Sequence, residues 1–308
     1  MLSPIGPQPF PTPVTDEELH VVAALPRLRS LDTRGRSIRP SAFAELLQRP
    51  ALSGLTALYT GRKQLDSACT ALLPLHQSAL RILHVEAPGD AAAPGFFAPL
   101  PLLPALTDLS VVSSFVGRDD VRAVAECAGL RHLSLDGLVK EDWPPILTAP
   151  ALRRLESLTL RGAARSDDSA YWADIFSRLP ALRSLILRRC YGAGTLLPGV
   201  ASQCASLRTL RISPEDVRDT FASSPLPTVG QLAELLAALP AFTVVELELP
   251  PQPLPSAPPA QTDVFASLMA GVSKSFARTQ RDLQAQFAAF QQAHPQRVRL
   301  LVQEEGRD

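Results

Sequence analysis

At 308 residues the chain has room for one long domain or two of ordinary size. Apolar residues make up 46% and charged residues 19%, enough to bury a large core, which excludes a chain disordered throughout. Thirty basic side chains balance thirty acidic ones, which excludes the global basic surplus that a sequence-independent grip on nucleic acid or an anionic membrane requires.

Residues 1–13 contain five prolines and read as a disordered tail. They lack a basic region followed by an apolar run, so they do not read as a signal peptide. A helix is expected at 15–25, where Thr15 and Glu18 form a capping box. The phrase L-x-x-L-x-[aliphatic or small] then begins. Its first position falls at Leu28, Leu55, Leu80, Leu106, Leu130, Leu155, Leu182 and Leu207, at spacings of 27, 25, 26, 24, 25, 27 and 25. A leucine-rich chain produces the phrase by accident, but not at so regular a period. A ninth copy starts at Phe242, 35 residues after the eighth.

Strands are expected at 30–33, 57–60, 82–85, 108–111, 132–135, 157–160, 184–187, 209–212 and 244–247. Helices are expected between them at 41–48, 119–127, 166–179 and 230–239, where apolar residues recur at helical spacing behind Ser, Asp or Gly. Several end at Leu-Pro, which cannot continue a helix. The position three before each first Leu holds Leu25, Leu52, Leu103, Cys127, Leu152, Leu179, Cys204 and Leu239, with Gln77 its polar member. Cys127 and Cys204 therefore read as small buried hydrophobes in a repeated slot, and Cys190 reads the same way. No C-x-x-C pair exists to suggest structural zinc. The most apolar window, 91–112, carries Pro94, Pro99, Pro101 and Pro104 and is not a membrane span.

Repeated strand–link–helix units form a parallel sheet. Strands stack about 4.8 Å apart and helices need about 10 Å, so the strand wall is expected to be the concave one. The expected class is α/β, a solenoid of nine to ten repeats over residues 14–249. A Pro-rich loop at 250–261 follows. The segment 262–308 is expected to be a long helix ending near Ala293 plus a last strand at 297–302, which cover the open end of the repeats. The seven-residue spacing of Met269, Phe276, Leu283 and Phe290 also fits a coiled-coil arm.

These phrases resemble leucine-rich-repeat proteins, specifically the longer, helix-bearing, ribonuclease-inhibitor-like class. The form C-x-x-L-x-x-L-x-L is similar to the repeats of F-box/LRR proteins. The resemblance covers about residues 15–250 and implies a substrate-recognition role in a ubiquitin-ligase system, with a Skp-type adaptor and cullin as partners. An F-box would precede the first repeat, and none is seen here. The alternative is a ribonuclease-inhibitor-like protein that binds and blocks an enzyme.

There is no phosphate-cradling Gly loop, no H-E-x-x-H, no G-x-S-x-G and no Asp-rich metal loop, so neither an enzyme nor a bound cofactor is expected. The candidate site is the concave face, where positions three, five and seven of each phrase point away from the core. Its candidate residues are Tyr59, His84, Glu86, Asp108, His132, Asp136, Arg161, Arg188 and Arg211. Repeats three to five read as acidic with histidines and six to eight as basic. This suits a protein partner or an acidic or phosphorylated peptide, with Arg161, Arg188 and Arg211 in contact. A monomer in the cytoplasm or nucleus is expected, with no nucleic-acid or membrane partner.

Overall fold

The computed structural model describes residues 21, 25, 27–34, 36–61, 64–86, 95–112, 118–136, 146–147, 149–161, 169–188, 193–213, 227–249, 282 and 284–302. Among the described residues there are ten strands: β1 (Ser30–Asp32), β2 (Ala57–Thr60), β3 (Ile82–Glu86), β4 (Asp108–Val112), β5 (His132–Asp136), β6 (Ser157–Arg161), β7 (Ser184–Arg188), β8 (Thr209–Ser213), β9 (Val244–Leu249) and β10 (Val298–Val302). Each falls at an expected position, to within a residue or two at its ends. The helices described are α1 (Pro40–Leu47), α2 (Ser67–His76), α3 (Arg118–Glu126), α4 (Ser169–Ser177), α5 (Ala193–Gln203) and α6 (Val229–Ala238). Single 3-10 turns stand at Pro50–Leu52, Leu100–Leu102 and Pro150–Arg154. The tail 1–13, the helix at 15–25 save Val21 and Leu25, the loop 250–261, Cys190 and residues 262–281 lie outside the described residues.

The chain divides into two compact units, residues 1–163 with 174–182, and residues 164–173 with 183–308. In the first, β1 to β6 pair in chain order, every pair parallel. The register follows the phrase position by position: Leu31 pairs with Leu58, Leu58 with Leu83, Leu109 with Leu133 and Leu133 with Leu158. In the second unit β7 pairs with β8, β8 with β9 and β9 with β10, again parallel.

One backbone device recurs. The amides at positions two and three both donate to the position-two carbonyl of the preceding repeat. Thr56 and Ala57 thus share Arg29 O at 2.8 and 3.0 Å, Arg131 and His132 share Thr107 O at 2.8 and 3.0 Å, and Arg208 and Thr209 share Arg183 O at 2.7 and 3.0 Å. The first-position amide turns back onto the carbonyl three residues earlier, as in Leu130 N to Cys127 O at 3.2 Å and Leu207 N to Cys204 O at 3.1 Å. The slot three before the first Leu is therefore a turn residue whose side chain is buried. Small apolar groups suit it, and Cys127 and Cys204 are buried there, as read from the sequence.

The ninth copy departs from its expected frame. The sequence places Phe242 at the first, core-facing position, yet it is 62% exposed, while Thr243 is fully buried. The turn-back bond is made by Thr243 N to Pro240 O at 2.9 Å, so Thr243 holds the first position and the phrase is one residue short. Its hydroxyl donates to Leu207 O at 2.6 Å, which satisfies a polar group that the core would otherwise strand.

Helices α2 and α5 were not expected, because each carries an interior proline, Pro74 and Pro198. Burial outweighs the lost hydrogen bond: Cys69, Thr70 and Leu73 of α2, and Leu196, Leu197 and Val200 of α5, are in the core. Asp66 also caps α2, accepting from Cys69 N at 2.7 Å. A second feature without a sequence signal is Gln64. It is fully buried, donates to Thr33 O at 2.8 Å and Arg36 O at 2.6 Å, and accepts from Gly61 N at 3.0 Å and the Thr33 hydroxyl at 2.5 Å. This amide allows position six to be Thr at Thr33, while Thr60 satisfies its own hydroxyl on His84 O at 3.2 Å.

Candidate functional site

Strands β3, β4, β6, β7 and β8 share one pattern, with positions four and six buried and positions three, five and seven partly exposed. The two-residue period of a strand does this once the even positions are aliphatic. Each unit therefore presents a polar open face whose side chains come from successive repeats.

On the first unit's open face, Tyr59 stands beside His84, ring centroids 6.1 Å apart, as their strand register requires. Arg34 lies over the Tyr59 ring at 5.0 Å from its centroid. Its guanidinium grips Asp32 through Nη2 to Oδ2 at 2.7 Å and Nε to Oδ1 at 3.1 Å. That contact holds the Asp32 carboxyl below the usual carboxylate range and pushes Arg34 up. Glu86, at the end of β3, adds to the negative field around Arg34. Further along, Asp108 and His132 approach to 3.9 Å. Asp136 pairs in register with Val112 and Arg161, and its side chain lies outside the described residues. Arg161 ends β6.

On the second unit's open face, Arg188 and Arg211 are half-buried on adjacent strands, Arg188 opposite Ser213 and Arg211 opposite Ile186. Glu246 is the next register neighbour of Arg211 and pairs with Arg299 of β10 at 3.5 Å. Arg299 is not among the residues that the sequence singles out, since 297–302 is expected there only as a strand. Its signal was the alternation of Val298, Leu300 and Val302 with Arg299 and Leu301, which puts Arg299 at a position equivalent to Arg211. Asp32 and Arg34 were legible as fifth and seventh positions but were not singled out.

His84 is half-buried, and burial first, then the Arg34 charge, lowers its basicity. Its folded-state value lies below the unfolded one, so the unfolded chain takes up the proton first as pH falls. The expected result is a loss of stability that begins below the ordinary histidine value of about 6.5 and levels off once the folded form also protonates. Thermal melts between pH 7.5 and 5 should fall further for the natural chain than for His84→Gln; parallel curves would refute the assignment.

Burial pushes the thiols of Cys69, Cys127 and Cys204 up to about 12, which leaves them protonated and unreactive. Among the described residues no cluster of His, Cys, Asp and Glu could hold a metal ion. No helix among them is long and apolar enough to cross a membrane.

The chain matches no family model and no curated protein. Among solved structures it is similar to a chain of the yeast Rad7–Elc1 complex, at 17% identity over 75% of this chain and 66% of that one, with a TM-score of 0.49. It is similar also to a chain of the TLR13–ssRNA13 complex, at 17% identity over 73% of this chain and 34% of that one, with a TM-score of 0.39. It thus spans less than two thirds of either. What identifies the fold is internal: a phrase of fixed period, buried leucines paired in register, and parallel strands that follow chain order within each unit. Each unit has the α/β leucine-rich-repeat fold, with parallel strands β1–β6 in the first and β7–β10 in the second among the described residues.

Proposed function

We propose that the chain is a non-enzymatic protein-interaction scaffold that holds a segment of a partner against the open face of its strands. The observation that carries this reading is the alternation along the strands. The even positions are spent on the core, while the odd ones form rows of Tyr, His, carboxylate and guanidinium groups on the open face. Polar rows on rigid strands suit recognition, since the side chains are held in place before the partner arrives.

In the second unit the partner segment is acidic or phosphorylated. Arg188 and Arg211 stand on neighbouring strands about 5 Å apart, and the planar guanidinium holds a carboxylate or phosphate bidentately where an ammonium cannot. Arg161 is the equivalent group of the first unit. The reversal Arg188→Glu with Arg211→Glu is expected to weaken capture of a labelled octaglutamate peptide by tenfold or more, with melting curves recorded beside it to show that the variant is folded. The control is Arg81→Glu with Arg208→Glu, which changes position two only. Equal capture by both doubles would overturn the site.

The finer assignment is to the substrate-recognition part of an F-box-type ubiquitin-ligase system, supported by the form of the repeat phrase. Affinity purification of the tagged chain tests it. A Skp-type adaptor and cullin support it, and one stoichiometric enzyme supports a ribonuclease-inhibitor-like blocker instead. Recovery of RNA without protein would overturn the scaffold reading as a whole.

A further inference from the structure

The corner built by Asp32, Arg34, Tyr59, His84 and Glu86 on the first unit already holds a guanidinium, and that group belongs to the chain itself. Asp32 offers both carboxylate oxygens to Arg34, at 2.7 Å to Nη2 and at 3.1 and 3.3 Å to Nε. Tyr59 lies beneath the cation at 5.0 Å. Glu86 carries a second carboxylate on the same face and contributes to the field at Arg34. Positions three, five and seven of β1 to β4 supply three carboxylates, Asp32, Glu86 and Asp108, against one permanent cation, Arg34.

We infer that this corner is a docking point for an arginine side chain of a partner protein, and that Arg34 is its built-in occupant, displaced when the partner binds. The inference rests on the reading that the open face is the docking surface, and adds to it a second partner chemistry opposite in sign to that of Arg188 and Arg211. Two physical points favour arginine. The carboxylate fork and the aromatic face match a planar guanidinium, while a lysine ammonium uses one donor at a time. Displacement is easy, because the Arg34 and Asp32 side chains are 42% and 48% exposed and an exposed pair contributes little to stability. Arg34 then swings into water, and the net charge of the corner turns more negative as the partner's arginine arrives.

The test uses the full chain and a fluorescent ten-residue peptide of alternating arginine and glycine, with the alternating lysine–glycine peptide as its counterpart. Anisotropy titrations are expected to show the arginine peptide binding more tightly than the lysine peptide. Asp32→Asn and Tyr59→Ala are each expected to weaken the arginine peptide by about 3- to 10-fold. The distinguishing result is Arg34→Ala, expected to tighten binding by about 2- to 5-fold because the competitor is gone. Unchanged or weaker binding by Arg34→Ala overturns the inference. This variant removes only an exposed side chain, so it decides the matter even if Tyr59→Ala melts early. A photo-reactive form of the peptide separates the two failures. Cross-links on β1–β4 that are insensitive to Arg34→Ala remove the corner and leave the scaffold reading; cross-links confined to α1–α3 remove both.

Discussion

Truncating Leu158 to Ala is expected to cost about 2–5 kcal/mol, and Leu133→Ala in the first unit and Leu185→Ala in the second should fall in the same range. All three occupy position four and are 0–2% exposed. Leu133 and Leu158 face each other across β5 and β6, and Leu185 faces Leu210 across β7 and β8. Each truncation removes three carbons from between neighbouring leucine layers whose strands are fixed by the shared carbonyl bonds, so the cavity has little means of collapse. Ser134, one residue beyond Leu133 and on the open face, should lose under about 0.5 kcal/mol on change to Ala. Urea denaturation of the four variants beside the natural chain measures this. Equal losses at Ser134 and Leu133 would show that the register is wrong by one residue, since such a slip exchanges the two faces of a strand.

The strands were legible because two periods coincide in them. The repeat of about 25 residues places each phrase, and the two-residue alternation within it separates the core positions from the open ones. All nine expected strands are present, as is the tenth at Val298–Val302. What lay outside this pattern was not legible. Thr243 replaces a leucine because one residue is missing from the ninth phrase, and a polar residue with a private hydrogen bond leaves no periodic trace. Helices α2 and α5 depend on buried side chains that compensate their prolines, a tertiary effect that local propensity cannot report. Gln64 lies between phrases, where the sequence alone gives no reason to expect a buried amide with four hydrogen bonds.

The open-face placement of the candidate residues was legible to a similar depth. The open-face positions of Tyr59, His84, Asp108, His132, Arg188 and Arg211 followed from the alternation. Their groupings did not, because charge pairing depends on which rotamer each long side chain adopts. The grip of Arg34 on Asp32 runs between positions seven and five of one phrase, two residues apart. Arg299 reaches Glu246 through a strand separated from β9 by 48 residues of chain.

The largest effect outside the repeats is expected from the C-terminal segment, which the second unit uses as part of its own structure. Residues 284–293 are helical, with Phe287 and Phe290 buried. They lead into Arg297, whose guanidinium donates to Leu236 O at 2.7 Å, Leu239 O at 3.3 Å, Pro240 O at 3.0 Å and Thr243 O at 3.4 Å. Three of those carbonyls lie at or just beyond the last turn of α6, where a helix leaves acceptors unpaired and its dipole favours a cation. The carbonyl of Arg297 in turn accepts from Val245 N at 2.7 Å, at the start of the β9–β10 ladder. One residue therefore ends a helix and begins the last strand pair. Arg297→Met keeps the apolar stem and removes the donors, so the partly buried carbonyls lose their partner; the expected cost is about 2–3 kcal/mol. Phe287→Ala should cost about 3–5 kcal/mol. Arg299→Met, two residues on, is the control: it removes a guanidinium that is 63% exposed from Glu246 and should cost less than Arg297→Met, about 1 kcal/mol. Arg297→Lys should restore only part of the loss, since an ammonium cannot reach all four carbonyls from one position. Denaturation midpoints of the four variants decide it. Equal losses for Arg297→Met and Arg299→Met would mean that the α6 carbonyls are satisfied by water instead, and that the C-terminal segment rests on the repeats without holding them.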